Sequence, residues 1–368
     1  MKLTCPRKSL SEAFTVVSMV VPSRTPKEIL KNVKLVVEPG KATLMATDLE
    51  ISLSYQVMEV STDSSGEVLI PTSRMMSILR EVTSEEIEID ANDDKLTIRC
   101  GTSEFRLPQQ DALDFPELSF VEEGSGYMIS AKDFSAAIKK SLFATDAEST
   151  RYALGGVHLD FEGEKITFAA TDSRRLATCH IPSQPAENAE STSMVVPRKA
   201  MQLIERSLPG DDSSVELIAS SQEVVIKAET WSLTSRLLEG RFPNYRDVLP
   251  QESSRSIELI AKPLLNVVRQ SQIVTNDESR GVDFVFSSGT LILKSQAADV
   301  GESKIELPIG YDGDEVAILF DPRYVEDFLK VLESEANVTL KLNDSEDPAL
   351  FQAGEDYQYV VMPLARND

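Results

Sequence analysis

The sequence predicts an α+β protein made of three copies of one domain, each holding two helices against antiparallel sheet. Two recurring segments reveal the copies. A helical stretch opening on lysine occurs at 8–14, 132–138 and 262–268, with Lys8, Lys132 and Lys262 spaced by 124 and 130 residues. A strand that runs into a helix occurs at 68–75, 195–201 and 318–324, with Pro71, Pro197 and Pro322 spaced by 126 and 125 residues. A period near one third of the 368 residues marks a repeated supersecondary unit and sets domains at 1–123, 124–252 and 253–368.

Each first helix carries apolar residues three and four apart: Leu10, Phe14, Val17 and Val21; Phe134, Ile138 and Leu142; Leu264, Val267 or Val268, and Val274. Each second helix does the same with Met75, Leu79 and Val82, then Met201, Ile204 and Leu208, then Val325, Phe328 and Leu332. One stripe per helix implies one buried face and one wet face. Between the helices, segments 87–90, 96–100, 215–218, 224–228, 231–235 and 338–342 alternate apolar with polar residues. That period of two belongs to antiparallel strands covered on one side. Turn residues such as Pro39-Gly40, Pro209-Gly210 and Asn343-Asp344 separate them, and polar stretches at 122–126 and 251–254 read as linkers.

Composition sets the class. Apolar residues make up 41% of the chain, a globular content. With 37 basic and 60 acidic residues the net charge is −23, which argues against an evenly charged polyanion binder but not against a locally basic face. Cys5, Cys100 and Cys179 form no Cys-x-x-Cys and read as buried, reduced thiols. The N-terminus lacks the apolar run of a signal peptide, and no run approaches the roughly 20 residues that span a bilayer. A soluble cytoplasmic protein without membrane partners is expected.

Five strings narrow the reading: ATDLE at 46–50, RYALGG at 151–156, ATDSRRLA at 170–177, GRFPNYRDVLP at 240–250 and YVVMPL at 359–364. In this order on a tripled domain, the chain resembles the bacterial DNA polymerase III beta subunits, the sliding clamps. The resemblance implies a processivity factor: a ring of two head-to-tail subunits around double-stranded DNA, with helices lining the hole and sheets outside. Size agrees with that arrangement. A domain of this length behaves as a ball about 35 Å across; three in a triangle leave a gap of about 5 Å and six in a hexagon about 35 Å. Duplex DNA is roughly 20 Å wide, so a chain that encircles it must dimerise.

The polar helix faces are richer in lysine and arginine than the chain as a whole. The expected DNA-facing set is Arg24 and Lys27 in the loop after the first helix, with Arg74, Arg80, Lys139, Lys140, Arg198, Lys199, Arg206, Arg269, Arg280, Arg323 and Lys330. Singly, each fits an ordinary solvated helix face; in equivalent positions they suggest a positive wall. Phosphate contacts carry no base information, so such a wall permits sliding.

The resemblance also implies a cleft between the second and third domains for short motifs of the replicative polymerase, the clamp loader and repair proteins. Its matching residues are Arg151, Leu154, Thr171, Ser173, Arg174, Arg175, Leu176, Pro243, Val248, Val360, Met362, Pro363 and Leu364. Leucine, valine, proline and methionine suit an apolar cleft, and Arg151 and Arg175 are expected to pair with the peptide. Ser173, Arg174 and the position of Arg366 depart from the usual family pattern. For the ring contact the resemblance implies Arg99, Phe105, Arg106 and Leu107 on one surface, and Ile273, Val274, Glu302 and Glu306 on the other.

No catalytic set emerges. His158 and His180 lack ligand partners at metal spacing, and neither a Gly-x-Ser-x-Gly elbow nor a phosphate loop occurs. No metal or cofactor is expected, and the chain reads as a non-enzyme. The pairs Thr47-Asp48 and Thr171-Asp172, 124 residues apart, read as a turn device. A repeat-built interaction scaffold and a hydrolase of a neutral polymer are the alternatives: basic helix faces disfavour the first, and the missing constellation disfavours the second.

Overall fold

The protein is described from a computed structural model, for all residues except 93–94, 119, 121–123, 147, 149–151, 188, 251, 278 and 367–368. Linker residues Glu122, Glu123 and Gln251 therefore lie outside the described residues, as does the expected cleft residue Arg151.

Among the described residues six α-helices form, two in each third of the chain: α1 (Arg7–Val17), α2 (Thr72–Glu81), α3 (Ala131–Leu142), α4 (Arg198–Ser207), α5 (Ala261–Ser271) and α6 (Pro322–Lys330). Their stripes are buried as the spacing requires: Leu10, Ala13, Phe14 and Val17 in α1, and Val325, Phe328 and Leu329 in α6. The helices are shorter than the stripes suggested. Val21, Val82, Leu208, Leu332 and Val274 fall beyond the ends, and Val20 fills the core place expected of Val21. The stops are local. Val82 is extended after α2, and Pro209-Gly210 follows α4 closely. The repeat is also offset slightly: Pro71 and Pro197 end strands, whereas Pro322 opens α6 behind Asp321, whose carboxylate accepts from the Arg323 amide.

Among the described residues every strand pairing is antiparallel, and the sheets do not respect the repeat. In the first compact unit (Met1–Lys132, Ser183–Glu190 and Lys199–Leu237), strand Ile51–Val57 of the first repeat pairs with Trp231–Arg236 of the second. This fuses strands of both repeats into one nine-stranded sheet. In the second unit (Asp133–Pro182, Ser191–Arg198 and Leu238–Asp368), Arg175–Pro182 pairs with Tyr357–Val361, giving an eight-stranded sheet. Repeat and contact grouping are thus different partitions of the chain, because ladder hydrogen bonds cross from one repeat to the next.

Each unit keeps one smaller sheet with an unpaired edge. In the first it has five strands and ends on Ser103–Pro108; in the second it has four and ends on Gly301–Pro308. Ser103–Pro108 is the first repeat's counterpart of Trp231–Arg236 and Tyr357–Val361. Gly301–Pro308 is the third repeat's counterpart of Ile51–Val57 and Arg175–Pro182.

The Thr-Asp pairs form the same turn twice. Thr171 Oγ1 donates to the Arg175 carbonyl at 2.7 Å and accepts from the Ser173 amide at 3.1 Å, while Asp172 Oδ1 accepts from the amides of Arg174 and Arg175 at 3.0 and 3.1 Å. Thr47 and Asp48 bond Leu49, Glu50 and Ile51 in the same pattern. The third turn residue is left-handed in both, Leu49 at φ 81° and Ser173 at φ 72°.

Candidate functional site

The second Thr-Asp turn delivers Arg175 and Leu176 to the rim of a cavity of about 260 Å³. Leu176 and Val360 are cross-strand partners and make its floor; both are buried. Thr171, Ser173, Arg174, Pro243, Val248 and Met362 complete it with Tyr245. Val248 and Met362 are 45% and 40% exposed, large apolar side chains left facing solvent. Nine of the thirteen residues expected from sequence meet here.

Three of the others do not. Leu154 is 3% exposed and belongs to the apolar cluster beneath the floor, with Ala169, Val195, Phe242 and Leu350. Pro363 is absent from the lining. Leu364 turns away: its amide donates to the Leu319 carbonyl at 2.8 Å, and it borders a separate polar cavity of about 1000 Å³. There Arg366 pairs with Asp283 at 2.6 Å.

Arg175 also departs from its expected role. Its Nε donates to Asp172 at 2.8 Å, Nη1 to Asp327 at 2.7 Å and Nη2 to the Phe143 carbonyl at 2.8 Å. The guanidinium lies 4.5 Å from the Tyr324 ring centre. Its side chain is only 10% exposed. Arg175 is therefore a structural tie that holds the turn, not a free hand for a peptide. Arg174 is the exposed guanidinium at the rim, its pKa raised by a hydrogen bond to Tyr324.

Sequence reasoning missed Tyr245. It sits on a short 3-10 turn (Tyr245–Val248), where no periodicity flags it. Arg246 anchors that segment through Asp160 at 2.8 Å and Glu162 at 2.7 Å, and the Tyr245 hydroxyl donates to Asp160 at 3.4 Å. Burial pushes the Tyr245 hydroxyl up to about 12 and lowers His158. His158 stacks on Phe242 with centroids 4.7 Å apart, so it packs the wall. In the first unit the places of Leu176 and Val360 are taken by Ser52 and Thr234, and Thr234 Oγ1 is buried with no partner among the described residues. An apolar floor is thus specific to the second unit.

The helices carry fourteen lysines and arginines against six carboxylates, a net of +8, while the whole chain is −23. Arg24, Lys27, Arg74, Arg80 and Arg206 are exposed and make no ion pair among the described residues. Others of the expected set are neutralised nearby. Lys199 pairs with Asp48, Arg269 and Lys330 with Glu326 at 3.0 Å each, and Arg323 with Asp321 at 2.7 Å. Arg280 is 4.0 Å from the same Asp321. Arg198 donates to Thr145 Oγ1 at 2.6 Å. Lys139 is exposed, and Lys140 lies 5.4 Å from the Tyr357 ring centre.

On the unpaired edges, Phe105 and Leu107 alternate with exposed Glu104 and Arg106, and Ile305 and Leu307 with exposed Lys304 and Glu306. Ile305 and Leu307 were not anticipated. Ile273 is 75% exposed and Val274 half-buried. Arg99 pairs with Glu88 and Glu104, Arg106 with Glu104, and Glu306 with Lys304; Glu302 is exposed.

Three family models cover the chain: DNA polymerase III beta subunit N-terminal domain at residues 1–119, central domain at 128–244 and C-terminal domain at 246–365. A beta sliding clamp from Pseudomonas putida is 30% identical over 370 residues, covering 99% of this chain and 100% of its own. The chain belongs to the DNA polymerase III beta subunit family. A solved beta subunit from Pseudomonas aeruginosa aligns along both full chains with a TM-score of 0.93 at 29% identity. A second structure of that organism's sliding clamp, bound to griselimycin, aligns with a TM-score of 0.94 at 29% identity.

Sliding-clamp function therefore attaches to a fold whose described residues hold no cluster of three metal-ligating side chains and no helix long and apolar enough to cross a membrane. His180 is paired with Asp356 at 2.5 Å, and the three cysteines are free and buried.

Proposed function

We propose that two copies of this clamp close head to tail around duplex DNA and carry partner proteins by short segments held in the Leu176–Val360–Met362 cleft. The observation that carries the reading is the helix charge of +8 within a chain of −23. A cationic lining attracts phosphate without reading bases, and an acidic remainder disfavours stray contact with DNA elsewhere. Arg24, Lys27, Arg74, Arg80 and Arg206 are its most available charges. The neutralised ones contribute less.

The repeat supports dimerisation. Within the chain, a strand of the first repeat pairs with the second and a strand of the second with the third, which leaves the equivalent edges Ser103–Pro108 and Gly301–Pro308 over. An open edge is a template for another chain. Pairing Ser103–Pro108 of one subunit with Gly301–Pro308 of another would recreate the same junction and, done twice, close the ring. Phe105, Leu107, Ile305, Leu307 and Ile273 supply the apolar contact; Arg99, Arg106, Glu302 and Glu306 set register. The clamp performs no chemistry in this reading. Polymerase, clamp loader and repair proteins compete for the cleft, and an ATP-driven loader opens the ring. Three buried thiols fit a cytoplasmic setting.

The test is retention on nicked circular DNA. The wild type stays bound and is released when the circle is cut. Reversing Arg24, Lys27, Arg74 and Arg80 to glutamate shortens the lifetime about tenfold or more at physiological salt, with the dimer intact. An unchanged lifetime counts against a basic wall. For the cleft, Met362→Asp places a carboxylate on the apolar rim and weakens a Leu-Phe-containing peptide about 50-fold by calorimetry; full binding by that variant places the partner segment elsewhere.

A further inference from the structure

We infer that the two subunits of the ring meet in one fixed register, with Glu302 opposite the partner subunit's Arg106 and Lys304 opposite the partner subunit's Glu104, so that these edges select a second copy of this chain. This register rests on the head-to-tail pairing proposed above and adds to it the residues that face each other.

The two junctions inside the chain share one register. In the first, Ile51 stands opposite Ser235 and Ser52 opposite Thr234; in the second, Arg175 stands opposite Val361 and Leu176 opposite Val360. The ladders carry this equivalence to the free edges. Lys41, Lys165 and Thr290 each open a strand after a tight turn, and the residue six places on, Thr47, Thr171 or Gln296, stands opposite Ser52, Leu176 or Glu302. On the other edge, Arg106, Thr234 and Val360 trace back across three strands to Lys2, Gly126 and Ser256, each five residues before the first helix of its repeat. The same register at the free edges sets Gly301 against Leu107, Glu302 against Arg106, Ser303 against Phe105 and Lys304 against Glu104.

The charges select the same register without using the repeat. Glu104 and Arg106 share one face of their strand, and Glu302, Lys304 and Glu306 share one face of theirs. A one-residue slip would throw the two charged rows onto opposite faces. A slip of two residues one way sets Lys304 against Arg106 and Glu306 against Glu104, both like pairs; the other way it sets Glu302 against Glu104. Of these, only the register taken from the repeat gives two opposite pairs. It also relieves a conflict within the chain. Lys304 stands directly opposite Lys294, a like pair on the lining of the cavity of about 1000 Å³. The partner subunit's Glu104 reaches Lys304 from the other side. In the separate chain Lys304 turns to Glu306 and Arg106 to Glu104, each at 2.6 Å; such exposed pairs cost little to exchange. On the opposite face Phe105 meets the small Ser303, as Tyr359 meets Ala177 within the chain.

Two charge reversals in the full-length protein test the register by sedimentation at low salt. Lys304→Glu and Glu104→Lys each set like charges together at both junctions of the ring, and each is expected to weaken the dimer about tenfold or more. Mixed in equal amounts they should pair again, because one junction is then reversed as a whole and the other is wild type. The mixture should match the wild-type dissociation constant within about threefold. Cysteine pairs read the register independently. Directly opposed residues bring their Cα atoms to about 4.5–5.5 Å, within disulfide reach. Glu302→Cys with Arg106→Cys should therefore cross-link two subunits on oxidation about tenfold faster than Lys304→Cys with Arg106→Cys, which is two residues out of register. The native cysteines are buried and do not compete. Should either reversal fail to fold, the cross-linking decides alone. A wild-type dimer with folded variants that do not rescue each other, or with equal cross-linking of both cysteine pairs, overturns this register and leaves the ring standing. A wild-type protein that sediments as a monomer at micromolar concentration overturns the ring, and the register with it.

Discussion

Replacing Arg175 by alanine is expected to destabilise the second unit by about 3–5 kcal/mol, the usual cost of removing one partner from a buried ion cluster. The side chain donates to two carboxylates and a carbonyl and packs against an aromatic ring, with only a tenth of its surface exposed. Its loss leaves Asp172 and Asp327 without their shared cation and frees the turn that presents Leu176. Urea unfolding should show the midpoint falling, and cleft affinity should fall with it. Lysine should rescue little, since one ammonium cannot reproduce a fork with three separate acceptors. An unchanged midpoint would mean the turn is held by its Thr171 and Asp172 bonds alone.

Phe105→Ala should shift the protein from dimer to monomer. Truncating an aromatic anchor of an interface to alanine costs about 1.5–3 kcal/mol. A closed head-to-tail pair contains two copies of that contact, so the dimer loses about 3–6 kcal/mol, roughly 10²–10⁴ in its dissociation constant. Sedimentation at micromolar concentration reads this directly. Ile273→Asp, on the opposite surface, should act similarly because a carboxylate would have to be buried there. Dimers that survive both changes would move the contact away from these edges.

The features legible in the sequence are those written in local spacing. Helix stripes, alternating strands and the twin Thr-Asp turns depend on neighbours a few residues away, and they appear where expected except that five helices stop before Val21, Val82, Leu208, Val274 and Leu332. The cleft floor was legible through resemblance, since Leu176 and Val360 look like ordinary core by period alone. The missed features depend on distant partners. Arg175 finds Asp327 152 residues away, and nothing near it in sequence announces that pairing. Lys199 meets Asp48 151 residues away, so a side chain that reads as a free cation is largely neutralised. Period two tells which face of a strand is covered but not which strand lies beside it. The joining of repeats into common sheets was therefore invisible.

That joining bears on how the gene can be cut and spliced. A cassette exchanged at the end of the first repeat would leave Ile51–Val57 beside a foreign neighbour and strand half of a nine-stranded layer. The middle repeat expressed alone would expose two raw flanks where its siblings should sit. Hybrids between related clamps should instead tolerate exchange of a whole compact unit, with its segments changed together at 132, 182, 190, 198 and 237. The copies in the gene are thus not the bricks of the wall.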